Sequence, residues 1–355
     1  MSGSSLDGLD IAFIEFEEIG GKWNYDIKAS DCPAYNFEWS ERLANAHKLF
    51  AFDYLLLHAD YGKYLAEKTN EFIEAHHLQH QVQLISSHGH SVFHSPAQGM
   101  TAQIGDGAVI AAITGVNVVS DLRAVDVAFG GQGAPIVPIG EKLLLGEYSC
   151  FLNLGGIANI SCNTGNGYVA FDVCSANKIL NILAKTVGKE YDEDGVIASG
   201  GKMKPELLAE LGKLNYYQKP HPKSLDNSFG STTVYPIVQS YNLPVEDAMC
   251  TYVEHIADQI SSSFQSILPG SEKKNLLVTG GGAFNKFLTK RLQEKLSLLG
   301  VELVIPGADL VNNKEALIMA FIGILRWREE YNGLSSVTGA RRDSINGAVW
   351  IGQEA

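Results

Sequence analysis

Residues 1–16 read MSGSSLDGLDIAFIEF, a run of small polar residues that leads directly into an apolar stretch. Leu9, Ile11 and Phe13 occupy every second position, which predicts a β-strand. Glycines let backbone N–H groups converge on an anion, and serine hydroxyls add further donors. Asp7 or Asp10 could hold a magnesium ion through water, because Mg²⁺ keeps part of its hydration shell. A phosphate-binding loop and a disordered polar terminus both fit this composition.

Similar turns recur in the second half of the chain. The pattern of LNLGGIANISC at 152–162 predicts a strand, a Gly-Gly turn and another strand. This turn and the N-terminal loop could together bind one phosphate chain. LLVTGGGAFNKFL at 276–288 places three glycines between an apolar strand and a helix, which favours a bound nucleotide over a plain turn. Since the chain contains neither GxxxxGK[ST] nor GxGxxG at these turns, a P-loop is excluded and a dinucleotide is disfavoured.

Length and composition fit a globular enzyme of two domains. The chain has 355 residues, 45% of them hydrophobic and 19% charged. It lacks both a signal-like N-terminus and an apolar run of membrane-spanning length, so we expect a cytoplasmic protein. The net charge of −13 argues against nucleic acid or an anionic membrane as a partner. The five cysteines show no metal spacing and are expected to be buried free thiols: Cys32, Cys150, Cys162, Cys174 and Cys250.

Strands that alternate with helices predict an α/β layered fold. The pattern indicates two helices within 41–78, one strand that ends in a glycine turn within 81–96, and a strand at 116–119. It also predicts a long amphipathic helix within 244–268 and a mostly buried helix within 314–331.

A few side chains are candidates for chemistry. Asp172 ends an apolar strand before a helix, where a carboxylate is either a helix N-cap or a catalytic base. His88, His90 and His94 could share one strand face. No cysteine or carboxylate cluster completes a zinc site there, so a polar substrate pocket is favoured. Glu315 opens the last major helix, where the helix dipole alone would account for it.

Three polar loops, at 121–123, 130–135 and 222–230, are rich in hydrogen-bond donors. Each is either a binding loop or only a surface loop.

Taken together, these motifs resemble the anhydro-N-acetylmuramic acid kinase family, which belongs to the actin/hexokinase/Hsp70-like ATPase superfamily. The resemblance covers nearly the whole chain in order. It rests on MSGSSLDG, SHGHSVFH, QIGD, DLRAVDVAFGGQGAPIVP, LNLGGIAN, PKS, GGGAFN and SVTGA.

The resemblance implies a two-domain actin-like ATPase (ribonuclease H-like) α/β fold with an interdomain cleft. The expected domain I is 1–123 plus 331–355, and domain II is 124–330. The implied reaction uses ATP and Mg²⁺ to phosphorylate O6 of 1,6-anhydro-N-acetylmuramic acid while water opens the anhydro bridge at C1. The products are MurNAc-6-phosphate and ADP, in peptidoglycan recycling, and the enzyme is possibly a homodimer.

The resemblance also assigns residues. Asp172 would be the base that takes a proton from water, and Glu315 matches an active-site glutamate of the family. Asp7 is the implied metal ligand. The implied nucleotide contacts are Gly3, Ser4, Ser5, Leu6, Asp7, Gly8, Leu9, Asp10, Gly155, Gly156, Gly280, Gly281, Gly282 and Asn285. The implied sugar contacts are His88, Gln103, Arg123, Gly131, Gln132, Asn177 and Lys223.

The sequence departs from the family pattern at three places. A short apolar strand normally precedes the first loop. Here the sequence starts at the loop's Met1, so either the assigned start is late or the fold tolerates the loss. The family's GPGN is CSAN at 174–177, and a frequent histidine is replaced around Gly140–Glu141. Two other functions therefore stay open: a related sugar kinase with another substrate, and a nucleotide-binding scaffold without turnover.

Overall fold

The computed structural model describes residues 1–3, 6, 8–165, 167–221, 223–267 and 274–353. The chain divides into two compact units, which we call unit 1 (Met1–Leu145 with Asn313–Ala355) and unit 2 (Gly146–Asn312). Both units combine strands with helices, which confirms the expected α/β class. No helix among the described residues has the length and apolar character needed to cross a membrane.

The elements follow one another in chain order. The first stretch, to residue 145, contains β1 (Ile11–Ile19), β2 (Lys22–Asp31), α1 (Phe37–Ala44), α2 (Ala51–Ala75), β3 (Leu84–Ser86), β4 (His90–Ser95), β5 (Met100–Ile104), α3 (Gly107–Thr114), β6 (Asn117–Ser120), α4 (Ala124–Ala128) and α5 (Pro138–Leu144). Next come β7 (Cys150–Leu154), β8 (Ile157–Asn163), β9 (Tyr168–Ser175), α6 (Asn177–Lys185), α7 (Val196–Gly200), α8 (Pro205–Gly212), α9 (Tyr235–Ser240), α10 (Val245–Ile267), β10 (Lys274–Thr279), α11 (Lys286–Ser297) and β11 (Val301–Val304). The chain closes with α12 (Ala308–Trp327), α13 (Ser335–Thr338) and β12 (Ala348–Trp350).

Unit 1 contains three small sheets among its described residues: the β1–β2 hairpin, the β4–β5 hairpin and a sheet in the order β12-β6-β3. Gly20 and Gly21 form the β1–β2 turn with φ of +60° and +81°, which is the left-handed conformation that a tight hairpin turn favours. One buried cluster in this unit is built around Tyr61, Ile104 and Ile110.

The unit boundaries differ from the expected domains, because unit 1 also takes in residues 124–145 and 313–330. Side-chain packing explains the difference. Phe321 of α12 lies with its ring centroid 5.5 Å from that of Phe16 on β1 and 5.1 Å from that of Trp23 on β2. Asp126 of α4 accepts a hydrogen bond from the Thr338 hydroxyl at 2.7 Å. These contacts join both segments to unit 1.

Unit 2 is built on one five-stranded sheet in the order β11-β10-β7-β8-β9. Strands β11, β10 and β7 are parallel, whereas β8 and β9 are antiparallel to their neighbours. Helix α10 confirms the predicted amphipathic helix and buries Tyr252, Ile256 and Ile260 in the core of this unit.

Two sequence expectations are corrected here. The stretch 81–96 holds two strands rather than one, because the chain turns at Gly89 (φ +67°) and β4 then pairs with β5. The expectation of five buried free thiols is wrong for Cys150 and Cys162, which lie opposite each other on β7 and β8 and form a disulfide. It is also wrong for Cys32, which is exposed.

A cavity of about 990 Å³ lies in unit 1, bordered by β1 and by β3. Among the described residues, each of these strands is at the edge of its sheet. The Met1 amino group donates to the Asp10 carbonyl, and the Asp10 N–H donates to the Met1 carbonyl at 2.9 Å. Met1 is therefore already paired antiparallel with the residue that precedes β1.

An added strand should stabilise unit 1. A Thr-Val-Ile-Val-Thr segment appended before Met1 would continue the Met1–Asp10 pairing. This segment would then lie along β1 and enter the cavity. The added segment would bury apolar surface and pair with the edge that β1 presents among the described residues. We therefore expect the unfolding temperature to rise by ~2–4 °C for each kcal/mol gained in the free energy of unfolding. Thermal unfolding of the extended chain measures this. An extension with prolines at the two valine positions is the matched control, and equal unfolding temperatures for both would contradict the prediction.

Candidate active site

Two parallel strands of unit 1 bring His88 and Arg123 together. Ser86 of β3 pairs with Val119 of β6, so the residues that follow both strands emerge at the same edge. There the Arg123 Nε–H donates to His88 Nε2 at 3.0 Å. His88 Nδ1 donates in turn to the Gly89 carbonyl at 3.1 Å.

His88 is held in its neutral form. Its side chain is buried, and burial together with the Arg123 charge lowers its pKa to about 3. With Nε2 accepting from Arg123, the imidazole is a fixed orienting group for the guanidinium, not an acid at neutral pH.

Gln103 lies beside His88. Both residues line a cavity of about 210 Å³ in unit 1, together with His58, Asp106 and Asp121. The Gln103 side-chain amide donates to the Thr101 hydroxyl at 2.9 Å, but its buried Oε1 has no hydrogen-bond partner among the described residues. An orphaned buried acceptor next to a polar cavity fits a ligand that carries a hydroxyl or amide donor.

Glu315 does not open its helix, so this sequence expectation is wrong. Helix α12 begins at Ala308, and Glu315 lies two turns further on, beyond the reach of the helix dipole. Burial raises the pKa of the Glu315 carboxyl, the charge of neighbouring Lys314 lowers it, and the Asp10 charge raises it further. The Arg123 charge also acts on this carboxyl, so Asp10, Arg123 and Glu315 form one electrostatic group in unit 1.

The helix that carries Glu315 is anchored by a buried ion pair. Lys314 Nζ lies 2.8 Å from Glu141 Oε1, and both side chains are at most 5% exposed. Glu141 lies in the short stretch, around Gly140–Glu141, where the sequence analysis notes a departure from the family pattern. The pair joins α5 to α12 directly beside Glu315.

The N-terminal loop is described in part. Ser4, Ser5 and Asp7, which the sequence suggests for phosphate and metal, lie outside the described residues, whereas Gly3, Leu6 and the segment 8–10 are described. Gly8 pairs with Ala34, and a Cβ at Gly8 would lie 2.7 Å from Cys32 Sγ, so this position requires glycine. Leu9 is buried and its N–H donates to the Pro33 carbonyl at 3.0 Å.

The GGQG loop is shaped by Asp126. The buried carboxylate of Asp126 accepts from the Gly133 N–H at 2.8 Å and from the Thr338 hydroxyl at 2.7 Å. The Asp126 carbonyl accepts from the Gly131 N–H at 2.9 Å, and the Gln132 N–H donates to the Thr338 carbonyl at 2.8 Å. Gln132 is left exposed at the tip of the loop.

The two glycine turns of unit 2 lie side by side. Thr279 of β10 pairs in parallel with Asn153 of β7, and both turns begin just beyond these residues. A Cβ at Gly280 would lie 2.4 Å from Asn153 Oδ1, which shows how closely the backbones approach. Gly281 is exposed and has open space at its Cβ position, with Asn177 Nδ2 3.9 Å away.

Asn177 joins these turns, because its side chain donates to the Leu154 carbonyl at 2.9 Å. The Gly155 carbonyl accepts from the Asn177 N–H at 3.1 Å, and the Gly156 carbonyl accepts from the Ala176 N–H at 2.8 Å. The structure therefore places Asn177 among the glycine turns. Asn285 serves as the N-cap of α11 and accepts from the Leu288 N–H at 2.9 Å.

Asp172 lies inside β9, not at its end, so the N-cap interpretation is wrong. Helix α6 begins only at Asn177, and a β-bulge at Val173 interrupts the strand alternation next to Asp172. Asp172 Oδ2 accepts from the Leu225 N–H at 2.8 Å, and the Tyr216 hydroxyl donates to the Asp172 carbonyl at 2.6 Å. Burial raises the pKa of the carboxyl, and the bond from the Leu225 N–H lowers it in part.

Lys223 lies on the loop that holds Asp172. Its carbonyl accepts from the Asp172 N–H at 3.2 Å, and its ammonium lies 4.8 Å from the centre of the Tyr216 ring. Burial lowers the pKa of Lys223. A partly desolvated cation near a half-buried carboxylate is suited to hold an anionic or strongly polar ligand group.

The CSAN segment turns its first two side chains inward. Cys174 and Ser175 are at most 1% exposed and contribute to the interior of unit 2, so they line no surface that a substrate could touch. The exchange of the family's Gly-Pro for these residues therefore changes packing beneath Asp172 and gives no support to a different substrate.

The three histidines do not share a face. His88 precedes β4, and a β-bulge between Ser91 and Phe93 reverses the alternation between His90 and His94. His90 is buried against the Ser2 hydroxyl at 3.0 Å, whereas His94 is exposed. Within the described part of the chain, no group of three or more His, Cys, Asp or Glu residues could hold a metal ion.

Comparison with known proteins identifies the family. The family model of anhydro-N-acetylmuramic acid kinases matches residues 1–352. The chain belongs to the anhydro-N-acetylmuramic acid kinase family. It is 31% identical to such a kinase from Saccharophagus degradans over 99% of this chain and 97% of that protein. It is 32% identical to one from Shewanella amazonensis over 98% and 96%.

One solved structure among those that match is a ROK family glucokinase from Streptomyces griseus in complex with glucose and AMPPNP. It shares 11% sequence identity, covers 88% of this chain and 99% of its own, and gives a TM-score of 0.40.

Sequence reasoning missed two residues of this site. Asp126 stands inside the quoted stretch DLRAVDVAFGGQGAPIVP, four residues before the GGQG loop, and a carboxylate so close to a glycine loop was the available signal for a loop-shaping role. Tyr216, whose hydroxyl binds the Asp172 carbonyl, lies 44 residues away along the chain and gave no sequence signal.

Replacing Asp126 tests whether its carboxylate fixes the conformation of the GGQG loop. In Asp126→Ala the Gly133 N–H and the Thr338 hydroxyl lose a buried acceptor, so we expect a loss of roughly 1–3 kcal/mol of stability for each unsatisfied group. Amide hydrogen exchange should become faster in residues 130–133. Asp126→Asn is the matched control, because its carbonyl can accept from Gly133 while its amide donates to Thr338. Equal damage from both variants would show that the charge, rather than the loop geometry, is what matters.

Proposed function

We propose that this chain is an ATP-dependent anhydro-N-acetylmuramic acid kinase of cell-wall recycling that opens the 1,6-anhydro ring with water and phosphorylates O6. The observation that carries the proposal is the match of the family model to residues 1–352. The motif resemblance assigns Asp172 the role of the family's base, and we propose that role for it here. A half-buried carboxylate with a raised pKa that accepts one backbone hydrogen bond is a suitable general base.

The proposed reaction couples opening of the anhydro bridge at C1 to phosphoryl transfer onto O6. Asp172 accepts a proton from water as the water oxygen bonds to C1 of the sugar. The C1–O6 bond breaks with its electron pair moving to O6, and O6 bonds to the γ-phosphorus of ATP. The bond from this phosphorus to the bridging oxygen breaks, and ADP leaves with that electron pair. The products are MurNAc-6-phosphate and ADP, and Asp172 then releases its proton to solvent.

Unit 1 would supply sugar contacts and charge. Arg123, oriented by neutral His88, would donate to sugar oxygens, and the unpaired Gln103 Oε1 would accept a hydroxyl or amide hydrogen. Gln132 and Gly131 would present the GGQG loop to the same sugar. Lys223 of unit 2 would bind a polar substituent near Asp172.

Phosphate contacts would come from the glycine turns. The open space at Gly281 and the nearby Asn177 amide fit close approach by a phosphate, and Gly155, Gly156 and Gly282 complete the turns. Asp10, whose charge acts on Glu315, is the described carboxylate that would hold Mg²⁺ through water, and Asp7 is the other candidate. When bound, Mg²⁺ neutralises charge on the transferring phosphate.

The same proposal includes the cytoplasm as the location, because the proposed reaction consumes ATP.

The first test is ADP release from ATP and Mg²⁺ with 1,6-anhydro-N-acetylmuramic acid in ¹⁸O-labelled water. We expect a phosphorylated sugar that carries the label at C1, because water oxygen enters there. Phosphorylated sugar without the label would contradict coupled hydrolysis, and no ADP release with this or other sugars would support the scaffold alternative.

Asp172→Asn should lower turnover strongly, because the amide cannot accept the proton from water. A loss of roughly 10²–10⁴-fold in kcat is expected for a general base. ATP binding, measured by calorimetry, should be retained. Asp226→Asn is the matched control, since it makes the same change at an exposed carboxylate one residue beyond Leu225. Turnover retained in Asp172→Asn would remove Asp172 from the role of base.

The pH dependence should report the raised pKa of Asp172. A general base works deprotonated, so kcat/KM falls as the pH drops through its pKa, and burial moves that acid limb above the ordinary aspartate range. The profile of kcat/KM against pH, with Asp226→Asn for comparison, measures this. An acid limb at the usual value of about 3.9 would contradict the desolvated geometry.

A further inference from the structure

The β4–β5 hairpin of unit 1 carries a row of polar side chains, of which only Gln103 has been given a role so far. Its register sets His94 opposite Thr101, and it sets Ser91 opposite Gln103. Directly opposite residues of an antiparallel pair project to the same face of the sheet. Because the bulge between Ser91 and Phe93 shifts the alternation by one position, Ser91 and His94 share that face. The bulge therefore brings His94 into line with Gln103.

Hydrogen bonds connect this row of side chains. Gln103 Nε2 donates to the Thr101 hydroxyl at 2.9 Å and to the Ser91 hydroxyl at 3.3 Å. The Thr101 hydroxyl in turn lies 3.0 Å from His94 Nδ1. A hydroxyl has one hydrogen, so a Thr101 that donates to His94 can meet Gln103 only as an acceptor. The Gln103 amide must then turn its NH₂ group toward Thr101 and its Oε1 away.

The far side of the His94 ring reaches the GGQG loop. Partial burial and the Arg123 charge lower the pKa of His94, and a hydrogen bond with the Gln132 backbone opposes this shift. A backbone group that favours the protonated imidazole is an acceptor, so the Gln132 carbonyl accepts from the ring. With Nδ1 facing Thr101, the donating nitrogen is Nε2. A neutral ring protonated at Nε2 leaves Nδ1 free to accept from Thr101, which is what the bond to Gln103 requires.

The direction of these bonds decides which end of the Gln103 amide meets a ligand. Gln103 Oε1 is buried, lacks a hydrogen-bond partner among the described residues, and belongs to a residue that lines the cavity of about 210 Å³. With the other His94 tautomer, Thr101 would be free to donate, and the amide would be free to turn its NH₂ group toward the cavity. An unpaired buried acceptor favours a ligand with an O–H or N–H donor and disfavours one that offers only an acceptor there.

We propose that His94 is a positioning residue of the sugar site. Through Thr101 it fixes the Gln103 amide with Oε1 as the acceptor offered to the substrate, and through the Gln132 carbonyl it holds the GGQG loop on the same hairpin. The inference rests on the proposed function, in which Gln103 and this loop contact the sugar. It adds a chemical requirement, because the sugar group that meets Gln103 must carry a hydroxyl or acetamido hydrogen.

The tautomer of His94 can be measured without any substrate. In wild-type protein labelled with ¹⁵N at histidine, NMR should show His94 as the neutral form protonated at Nε2 at neutral pH. The His94 signals are identified by their loss in His94→Ala. Thr101→Val should shift the Nδ1 signal, because that nitrogen loses its donor. A His94 ring protonated at Nδ1 in the wild type overturns the proposal, whether or not the chain is a kinase.

Kinetics test the positioning role. Thr101→Val keeps the shape of the side chain and removes the hydroxyl, so the KM for 1,6-anhydro-N-acetylmuramic acid should rise roughly three- to tenfold, as for one lost hydrogen bond. The kcat and the KM for ATP should change less than about twofold, since uniform sugar binding is lost. Thr101→Ser should restore the sugar KM. Adding Thr101→Val to His94→Ala should raise the sugar KM no further, because both changes break one chain of hydrogen bonds.

His47→Ala is the matched control, since His47 is an exposed histidine elsewhere in unit 1. An active wild type whose sugar KM is unchanged by Thr101→Val and by His94→Ala overturns the inference and leaves the proposed function intact. An equal rise in His47→Ala also overturns it. A wild type that does not turn over the anhydro sugar overturns the proposed function instead, and the NMR measurement on the free protein does not depend on that result.

Discussion

The candidate site depends on one constraint of sheet geometry: neighbouring parallel strands end at the same edge. In unit 1 the pairing of Ser86 with Val119 brings His88 to Arg123. In unit 2 the pairing of Thr279 with Asn153 sets the two glycine turns side by side. The residues involved are far apart along the chain, and a shift of either register by one position would separate them.

Burial also shifts the pKa of titratable groups in the candidate site. His88 is neutral because it is buried beside a guanidinium, so its ring can accept from Arg123. Asp172 and Glu315 are both desolvated, which raises the pKa of each carboxyl. The buried Lys314–Glu141 pair next to Glu315 contributes little net stability by itself, because desolvation offsets its attraction. The ion pair instead fixes the position of the helical turn that carries Glu315.

Much of this arrangement could be predicted from sequence, and the failures have physical causes. Local patterns predicted the glycine turns, helix α10 and the strand that carries Asp172. They did not predict the β-bulges beside Asp172 and between His90 and His94, because a bulge depends on the partner strand. The start of α12 was placed too late, since residues 308–313 contain Asp and Asn, which are weak helix formers that tertiary packing overrides. Cys150 and Cys162 were read as thiols because strand register, not spacing, sets them opposite each other.

The CSAN departure is best understood as a packing exchange. Ser175 is buried, and a Cβ at Gly230 would lie 2.3 Å from Ser175 Oγ, so glycine at 230 provides the room that the serine occupies. The Ser175 carbonyl accepts from the Tyr252 hydroxyl at 2.8 Å, which ties the end of β9 to α10. The side chains at 174–176 lie in the interior of unit 2, whereas Asp172 and Asn177, which flank them, form hydrogen bonds of their own. The exchange therefore concerns buried packing rather than the carboxylate and the amide that the segment presents.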